Sequence, residues 1–418
     1  MLQETVVVSQ TGARMHYAVP RILNEMGKLE RLYTDVCAVK DWPRMLAALP
    51  KSIQPGGLRR LSGRIPLGIS PRRITAFSTM GFYYVMQRMR HASRADETRL
   101  ALLLAERFSK NVVRSGFGSA SGFYGIAGEC LEQLISAKQA GLWTIVEQII
   151  APRQIVDRLV EGEAKRFPQW GSQLDDDPFA DDFANREKAE WAVADVIICP
   201  SEFVRQSVED VGGPVHKCVV VPYGIDYSFE PRPTRAATPK LRVVTVGAVG
   251  LRKGSPYVLE AARLMGGKAE FRMVGPIGVS GALREELGKA VDLRGVVPRA
   301  EVRNHYDWAD VFLLPTVCEG SATVTYEALA AGLPVVTTPN AGSVVRSGMD
   351  GFVVPLGDTQ AIVEALNTLH RDRAMLTSMS VSARIRAADY DLTGYRRRLQ
   401  SALALAAKSP AANLDAVR

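Results

Sequence analysis

Two glutamates, Glu319 and Glu327, stand with seven residues between them in the string CEGSATVTYEALAAGLP at 318–334. Glu319 follows the apolar run VFLLP, which places it at the carboxyl end of a buried strand, the end where open α/β sheets bind ligands. Gly320, Ser321 and Ala322 then form a strand-end loop, and Thr323 and Thr325 open a helix. Such a helix start presents free backbone N–H groups and a partial positive charge, suited to a diphosphate or to sugar oxygens. Glu327, a turn into the helix, can accept the paired hydroxyl hydrogen bonds of a ribose. Taken singly, either acid reads as well as a solvated surface residue.

A second cluster lies in VGAVGLRKGS at 246–255. A strand ends at Gly247, and a short loop offers Arg252 and Lys253 ahead of a helix. Two adjacent cations at that end of a strand suit a diphosphate. The string is not a Walker A loop, since no Gly-Lys-Ser/Thr occurs in the chain.

The N-terminal half offers weaker candidates. Gly12 follows the first strand and allows close backbone approach, and His16 follows it. His91 sits in a basic segment. The Gly-rich loop SGFGSASGFYG at 115–125, expected to follow a strand at Asn111–Arg114, brings Ser119, Ser121 and Tyr124 as acceptor-side candidates. Asp175, Asp176 and Asp177 are adjacent acids in a polar stretch and read as solvated; no metal site is expected.

The elements that position these groups follow one rhythm: a short β-branched run, a turn, a helical stretch. Strands are expected at Thr5–Ser9, Leu32–Val36, Trp143–Ile150, Val193–Ile198 and Lys217–Val221, with helices at Tyr17–Leu29 and Leu131–Ala140 and another opened by the Ser201 cap. A second series has strands at Arg242–Gly247, Ala269–Val274, Val311–Leu314, Pro334–Thr338 and Gly351–Val354. Its helices are Ser255–Met265, Thr323–Ala331, Thr359–Leu369 and Tyr395–Ala407. Such alternation means right-handed βαβ units and a parallel sheet. The Pro-rich EPRPTRAATPK at 230–240 marks a boundary between the two series.

Composition bounds the answer. The 418 residues leave room for two domains, and 47% apolar with 23% charged residues describes a globular chain rather than a disordered one. The net charge of +8 favours anionic partners. Its excess is concentrated between Lys51 and Arg114, where thirteen Lys and Arg face three acids. Arg there mixes with Phe77, Phe82, Tyr83 and Tyr84, a composition that can lie on an anionic membrane or simply pack a core with Arg outward. No nucleic-acid reader module is recognisable. Five scattered cysteines without a CxxC pair suit a reducing compartment. The N-terminus shows no signal-peptide pattern and no stretch of 18 apolar residues occurs, so a cytoplasmic location is expected.

The Glu319–Glu327 string closely resembles the signature of family 4 retaining glycosyltransferases (glycosyl transferases group 1), of the α/β GT-B fold. CPSEFVRQSV at 199–208, KCVVVPYGID at 217–226, LRGVVPRAEVRNHYDWADVFLLP at 293–315 and AGSVVRSGMDGFVVPLGD at 341–358 fit the same family. The resemblance covers 193–400 well and the first half loosely. It departs at Ala248, where the family usually has Arg; Arg252 stands in for that guanidinium.

The resemblance implies two Rossmann-like domains facing across a cleft, over 1–222 and 223–390, with a helix at about 391–407 crossing back onto the first. It implies a nucleotide diphosphate-sugar held mainly by the second domain. Glu327 would bind the ribose, Arg252 and Lys253 the diphosphate, Glu319 with Gly320, Ser321, Ala322 and Thr323 the sugar, Gly247 and Gly12 the phosphates, and Val297 the base. Transfer would be retaining and need no metal or other cofactor, with the departing phosphate taking the acceptor proton. The acceptor, a glycan, lipid or small molecule, stays open, with cell-envelope polysaccharide or lipid-linked intermediates the commonest in the family. A GT-B sugar epimerase or phosphorylase, or a non-catalytic nucleotide-sugar-binding scaffold, are the other readings.

Overall fold

The computed structural model describes residues 4–47, 63–90, 93–171, 176–225 and 238–408. Asp175, His91, Asp226, Lys51, Arg59, Arg60, the 230–237 part of the Pro-rich stretch and the tail from 409 lie outside the described residues.

Two parallel sheets carry the chain. The first has seven strands: β1 (Val6–Ser9), β2 (Leu29–Thr34), β3 (Ile74–Ala76), β4 (Gly122–Ile126), β5 (Trp143–Glu147), β6 (Val196–Cys199) and β7 (Cys218–Val220). Their order is β3-β2-β1-β4-β5-β6-β7. The second has six: β8 (Leu241–Val246), β9 (Ala269–Val274), β10 (Val291–Leu293), β11 (Val311–Leu314), β12 (Val335–Thr337) and β13 (Gly351–Val353), ordered β10-β9-β8-β11-β12-β13. In each sheet the order reverses beside the first strand, β1 or β8, and this opens a crevice at the carboxyl ends of the strands.

The sequences of these strands explain their position. VVVS, VIIC and VFLL are buried at every residue, as expected where helices cover both faces of a parallel sheet. One core of the first sheet joins Val6, Val8, Ile145 and Ile198 to Tyr395, Leu399, Ala402, Leu403 and Ala406. The last five residues belong to the helix Leu392–Lys408, so the end of the chain packs on the first sheet. The crossing segments hold each other: the Ile225 amide donates to Tyr390 O (3.0 Å), and Arg398 donates to Pro222 O and Tyr223 O (3.2 and 3.3 Å).

Two expected elements are corrected. Asn111–Arg114 is not a strand but the last turn of a 22-residue helix, Arg94–Ser115. Ser93 caps that helix by accepting from the Asp96 amide at 3.1 Å. Phe108 and Val112, four apart, turn the same face to the core, so the short apolar pair was a fragment of a helical period. The Tyr17–Leu29 helix is shorter, Ala18–Glu25, because Gly27 adopts φ +70° and the chain turns into β2. Pro20 falls in its first turn, where a missing N–H costs nothing.

Candidate active site

At the carboxyl end of β8 the chain turns through Gly247 (φ +150°), and the Lys253 stem packs over it, its carbons 3.4–3.8 Å from the Cβ position. The loop is then fastened to the loop after β11: Arg252 O accepts from Thr316 Oγ1 (2.8 Å) and the Val317 amide (2.9 Å). Gly254 (φ +70°) packs so closely that a Cβ would stand 1.8 Å from Pro315 O. These contacts bring Arg252 and Lys253 onto Glu319.

Arg252 Nη1 lies 2.6 Å and Lys253 Nζ 2.7 Å from Glu319 Oε1, and Arg252 Nη1 also reaches Cys318 O at 3.1 Å. The three candidate groups from separate parts of the chain thus form one cluster. Cys318 beside them is buried, and burial, then the Glu319 charge, push its thiol up to about 12; it is inert at neutral pH.

The helix Thr323–Ala330 starts next to this cluster, and its N-cap residue, Ala322, supplies no side-chain cap. Thr323 faces the cleft between the domains. The neighbours do structural work. Ser321 Oγ donates to Gly342 O (2.9 Å) and accepts from Tyr326 OH (2.6 Å). The Ala322 amide donates to Ala341 O at 2.9 Å. Gly320 O accepts from Ser201 Oγ of the first domain at 2.5 Å, and a Cβ on Gly320 would lie 1.8 Å from Ile149 O. Gly320 is therefore one of the places where the two domains touch.

Glu327 sits on the inner face of the same helix. Tyr306 OH donates to its Oε2 at 3.0 Å, and Arg299 Nη2 stands 3.8 Å from its Oε1. Burial raises the Glu327 carboxyl pKa, against the lowering by Tyr306 and Arg299. Val297, two residues before Arg299, is half-buried against the core that contains Tyr306.

The first domain faces this cluster with the loop after β1. The Gly12 amide (φ +69°) donates to Asp35 Oδ1 at 2.8 Å. Met15, His16 and Tyr17 have φ of 42, 52 and 61°, a left-handed turn that costs roughly 1–2 kcal/mol per residue. The turn carries His16 Nε2 onto Arg299 Nη1 of the second domain. Burial first, then Arg299 and Arg21, lower the His16 pKa, so the neutral ring accepts this bond at neutral pH.

Between the domains lies a cavity of about 300 Å³ walled by Gln10, Arg14, Glu147, Tyr223, Glu319 and Thr323. A larger one of about 670 Å³ opens beside it in the first domain, past Gly12, Asp35 and Glu129. Glu147, Tyr306, Tyr223 and Arg14 were not singled out in the sequence. Glu147 left a signal, an acid inside the apolar run WTIVEQII; it accepts from Tyr124 OH (2.7 Å) and Tyr223 OH (2.8 Å).

The Gly-rich loop does not face this cleft. Ser121 Oγ and the Ser121 amide donate to Thr5 O, before β1, and Ser119 Oγ bonds Glu30, so these serines lie at the amino ends of the strands. A loop after a helix returns to that edge; the mistaken strand had reversed its direction. Asp177 is held by Arg153 and by Thr98 Oγ1 (2.6 Å). Among the described residues no three His, Cys, Asp or Glu side chains are gathered as around a metal ion.

The basic segment forms the helices Ser78–Arg90 and Arg94–Ser115. Phe82, Tyr83, Met89 and Leu103 are exposed, and Arg107 stacks over Tyr83. Several cations are already paired, Arg94 with Asp157, Arg88 with Glu97 and Lys110 with Glu106. Among the described residues no helix is long and apolar enough to cross a membrane.

Residues 240–372 match the family model of glycosyl transferases group 1. WcaL of Escherichia coli K12, a glycosyltransferase named for colanic acid biosynthesis, is 31% identical over 189 residues, 41% of this chain and 47% of that protein. AmsK of Erwinia amylovora, an amylovoran biosynthesis glycosyltransferase, is 29% identical over 191 residues, 42% and 47% of the two chains. The chain thus spans about half the length of these relatives. Anabaena HepE, solved in complex with UDP and glucose, superposes with a TM-score of 0.57 at 15% identity over 96% of this chain and 99% of that one. The fold is GT-B: two parallel-sheet domains with helices, as in these glycosyltransferase structures.

Proposed function

We propose that the chain transfers a sugar from a nucleotide diphosphate-sugar to an acceptor, with retention and without a metal, in cell-envelope polysaccharide or glycolipid synthesis. One observation carries this reading: Arg252, Lys253 and Glu319 share a single cluster beside the uncapped start of the helix that bears Glu327. The group 1 match at 240–372 covers the same residues.

Glu319 pairs with both cations. A diphosphate would take Arg252 and Lys253 from it and leave the carboxylate for sugar hydroxyls. Glu327, oriented by Tyr306, would accept from the ribose, and Val297 and Gly247 would border the base and phosphates. As the bond from the anomeric carbon to the phosphate oxygen breaks, its electron pair passes to the phosphate. Arg252, Lys253 and the helix start would stabilise that charge. The acceptor oxygen bonds the anomeric carbon on the same face, and its proton goes to the departing phosphate. One well-placed donor of this kind contributes about 3–4 kcal/mol. Two cations and a helix start supply the charge a metal would bring, which supports the metal-independent reading.

The relatives named for colanic acid and amylovoran biosynthesis support an acceptor in cell-envelope polysaccharide synthesis, at the inner face of a membrane. The exposed Phe82, Tyr83 and Met89, with the cations around them, would hold the chain to anionic lipid there.

The test is a thermal-shift panel of nucleoside diphosphates and their sugars on wild type and Glu327→Ala. A shift with one nucleotide that the variant loses supports the donor site and names the base. No shift with any nucleotide would overturn the reading. Co-sedimentation with vesicles containing anionic lipid, but not with neutral ones, tests the membrane contact.

A further inference from the structure

Arg14 stands where the two cavities meet and lines both of them. Its Nε is buried and has no hydrogen-bond partner. The other charges around the larger cavity are engaged. Arg64 Nη1 lies 2.9 Å from Asp35 Oδ2, whose second oxygen holds the Gly12 amide. Arg88 reaches away to Glu97 at 3.2 Å. Glu129 accepts from Thr11 Oγ1 (2.5 Å) and the Thr11 amide (3.0 Å), and the Arg14 charge near it works against the rise that burial gives its pKa.

A guanidinium with a buried, unbonded N–H keeps the cost of its lost water. Its planar fork is satisfied best by the paired oxygens of a phosphate or carboxylate. The position narrows the source. Arg14 belongs to the first domain and faces a cavity far larger than the interdomain one, whereas Arg252 and Lys253 already stand at the donor side of the cleft. The larger cavity also carries Tyr84, Val85, Met89 and Leu104, so its walls mix charge with apolar surface.

We propose that Arg14 binds an anionic group, phosphate or carboxylate, carried by the sugar acceptor. The acceptor lies in the larger cavity and turns its hydroxyl toward the interdomain cavity, past Arg14. This assignment rests on the glycosyltransferase reading and adds to it the acceptor's class: an anionic, hydroxyl-bearing molecule rather than a neutral glycan.

The experiment uses the full chain as wild type, Arg14→Ala and Arg14→Lys. Calorimetry measures nucleoside diphosphate binding first. It then measures glucose 6-phosphate, methyl glucuronide and neutral methyl glucoside, each with and without that nucleotide. The expected result is that at least one charged probe binds wild type, better than methyl glucoside, and weakens at least about tenfold in Arg14→Ala. Arg14→Lys should recover part of that loss, and nucleotide affinity should stay within about twofold in both variants. The proposal is overturned if neither charged probe binds wild type, if the neutral glycoside binds as well, or if Arg14→Ala leaves the charged probes unchanged. It is overturned equally if Arg14→Ala weakens the nucleotide tenfold, which would assign Arg14 to the donor diphosphate. Failure of every nucleotide to bind counts against the glycosyltransferase reading, while the probes without nucleotide still report on Arg14.

Discussion

Lys253 Nζ stands 2.7 Å from Glu319 Oε1, and the two side chains are only 15% and 13% exposed. Two loops from different strands meet at this pair, so neither residue can be removed without changing the charge of the other's surroundings. Lys253→Ala is expected to slow transfer by about 10²–10³-fold, and Glu319→Ala to abolish it. Circular dichroism should show both variants folded. A Lys253→Ala enzyme with normal rate and normal saturation would contradict phosphate binding there.

Tyr306 orients Glu327, and Tyr306→Phe should weaken nucleoside diphosphate binding by about tenfold or more, the worth of one hydrogen bond to a carboxylate. Glu327 binds hydroxyls as the charged form, and its pKa is raised by burial. Nucleotide affinity should therefore fall as pH drops through that raised value. The free protein responds in the opposite sense, since a raised carboxyl pKa in the folded state adds stability at low pH that is lost as pH rises. Calorimetric titrations at several pH values, with Glu327→Gln as the comparison, separate this from titration of the phosphate.

Gly320→Ala places a Cβ against Ile149 O, which stands 1.8 Å from that position. The backbone of the first domain must move aside. Transfer should fall more than about 100-fold while nucleotide binding, on the second domain, survives. Equal loss of both would show that the substitution damages the donor site itself.

Two buried glutamates set the pH dependence of stability. Burial pushes Glu187 up to about 7 and Glu190 up to about 8. Both bind protons more tightly folded than unfolded, so the stability they confer is complete below the ordinary carboxylate range and disappears as pH rises past 7 and 8. The melting temperature should decline as pH rises toward about 7 and about 8 and level off above them. Glu190→Gln should flatten the slope even though it lowers the melting temperature, because one of the two oxygens that accept from the Gly128 and Cys130 amides becomes an NH2 group, which cannot accept. A flat wild-type profile would contradict the assignment.

The second domain was the more legible in sequence. β9 and β11 fall at the expected residues because AEFRMV alternates apolar with polar residues and VFLL is a short apolar run. The cluster of Arg252, Lys253 and Glu319 was foreseeable since each stands just beyond such a run. The first domain was harder. The apolar residues of the helix Arg94–Ser115 gather in one run, LALLLA at 100–105, rather than along one face, and its end, NVVR, mimics a strand. That single error put the two serine candidates, Ser119 and Ser121, at the wrong edge of the sheet, whereas Tyr124 bonds Glu147 at the cleft. Arg14, Glu147 and Tyr223 were invisible as a set for another reason: they lie far apart in sequence, and only the fold gives them a common cavity.

The helix Leu392–Lys408 fills the core of the first sheet with Tyr395, Leu399 and Ala402, although the whole second sheet precedes it in the chain. During synthesis the first domain therefore emerges with that core incomplete and waits, with Val6, Ile145 and Ile198 short of a cover, until the second domain has been made. The order of assembly on the ribosome is thus inverted for these two domains: the second can close by itself, and its completion delivers the helix that seals the first.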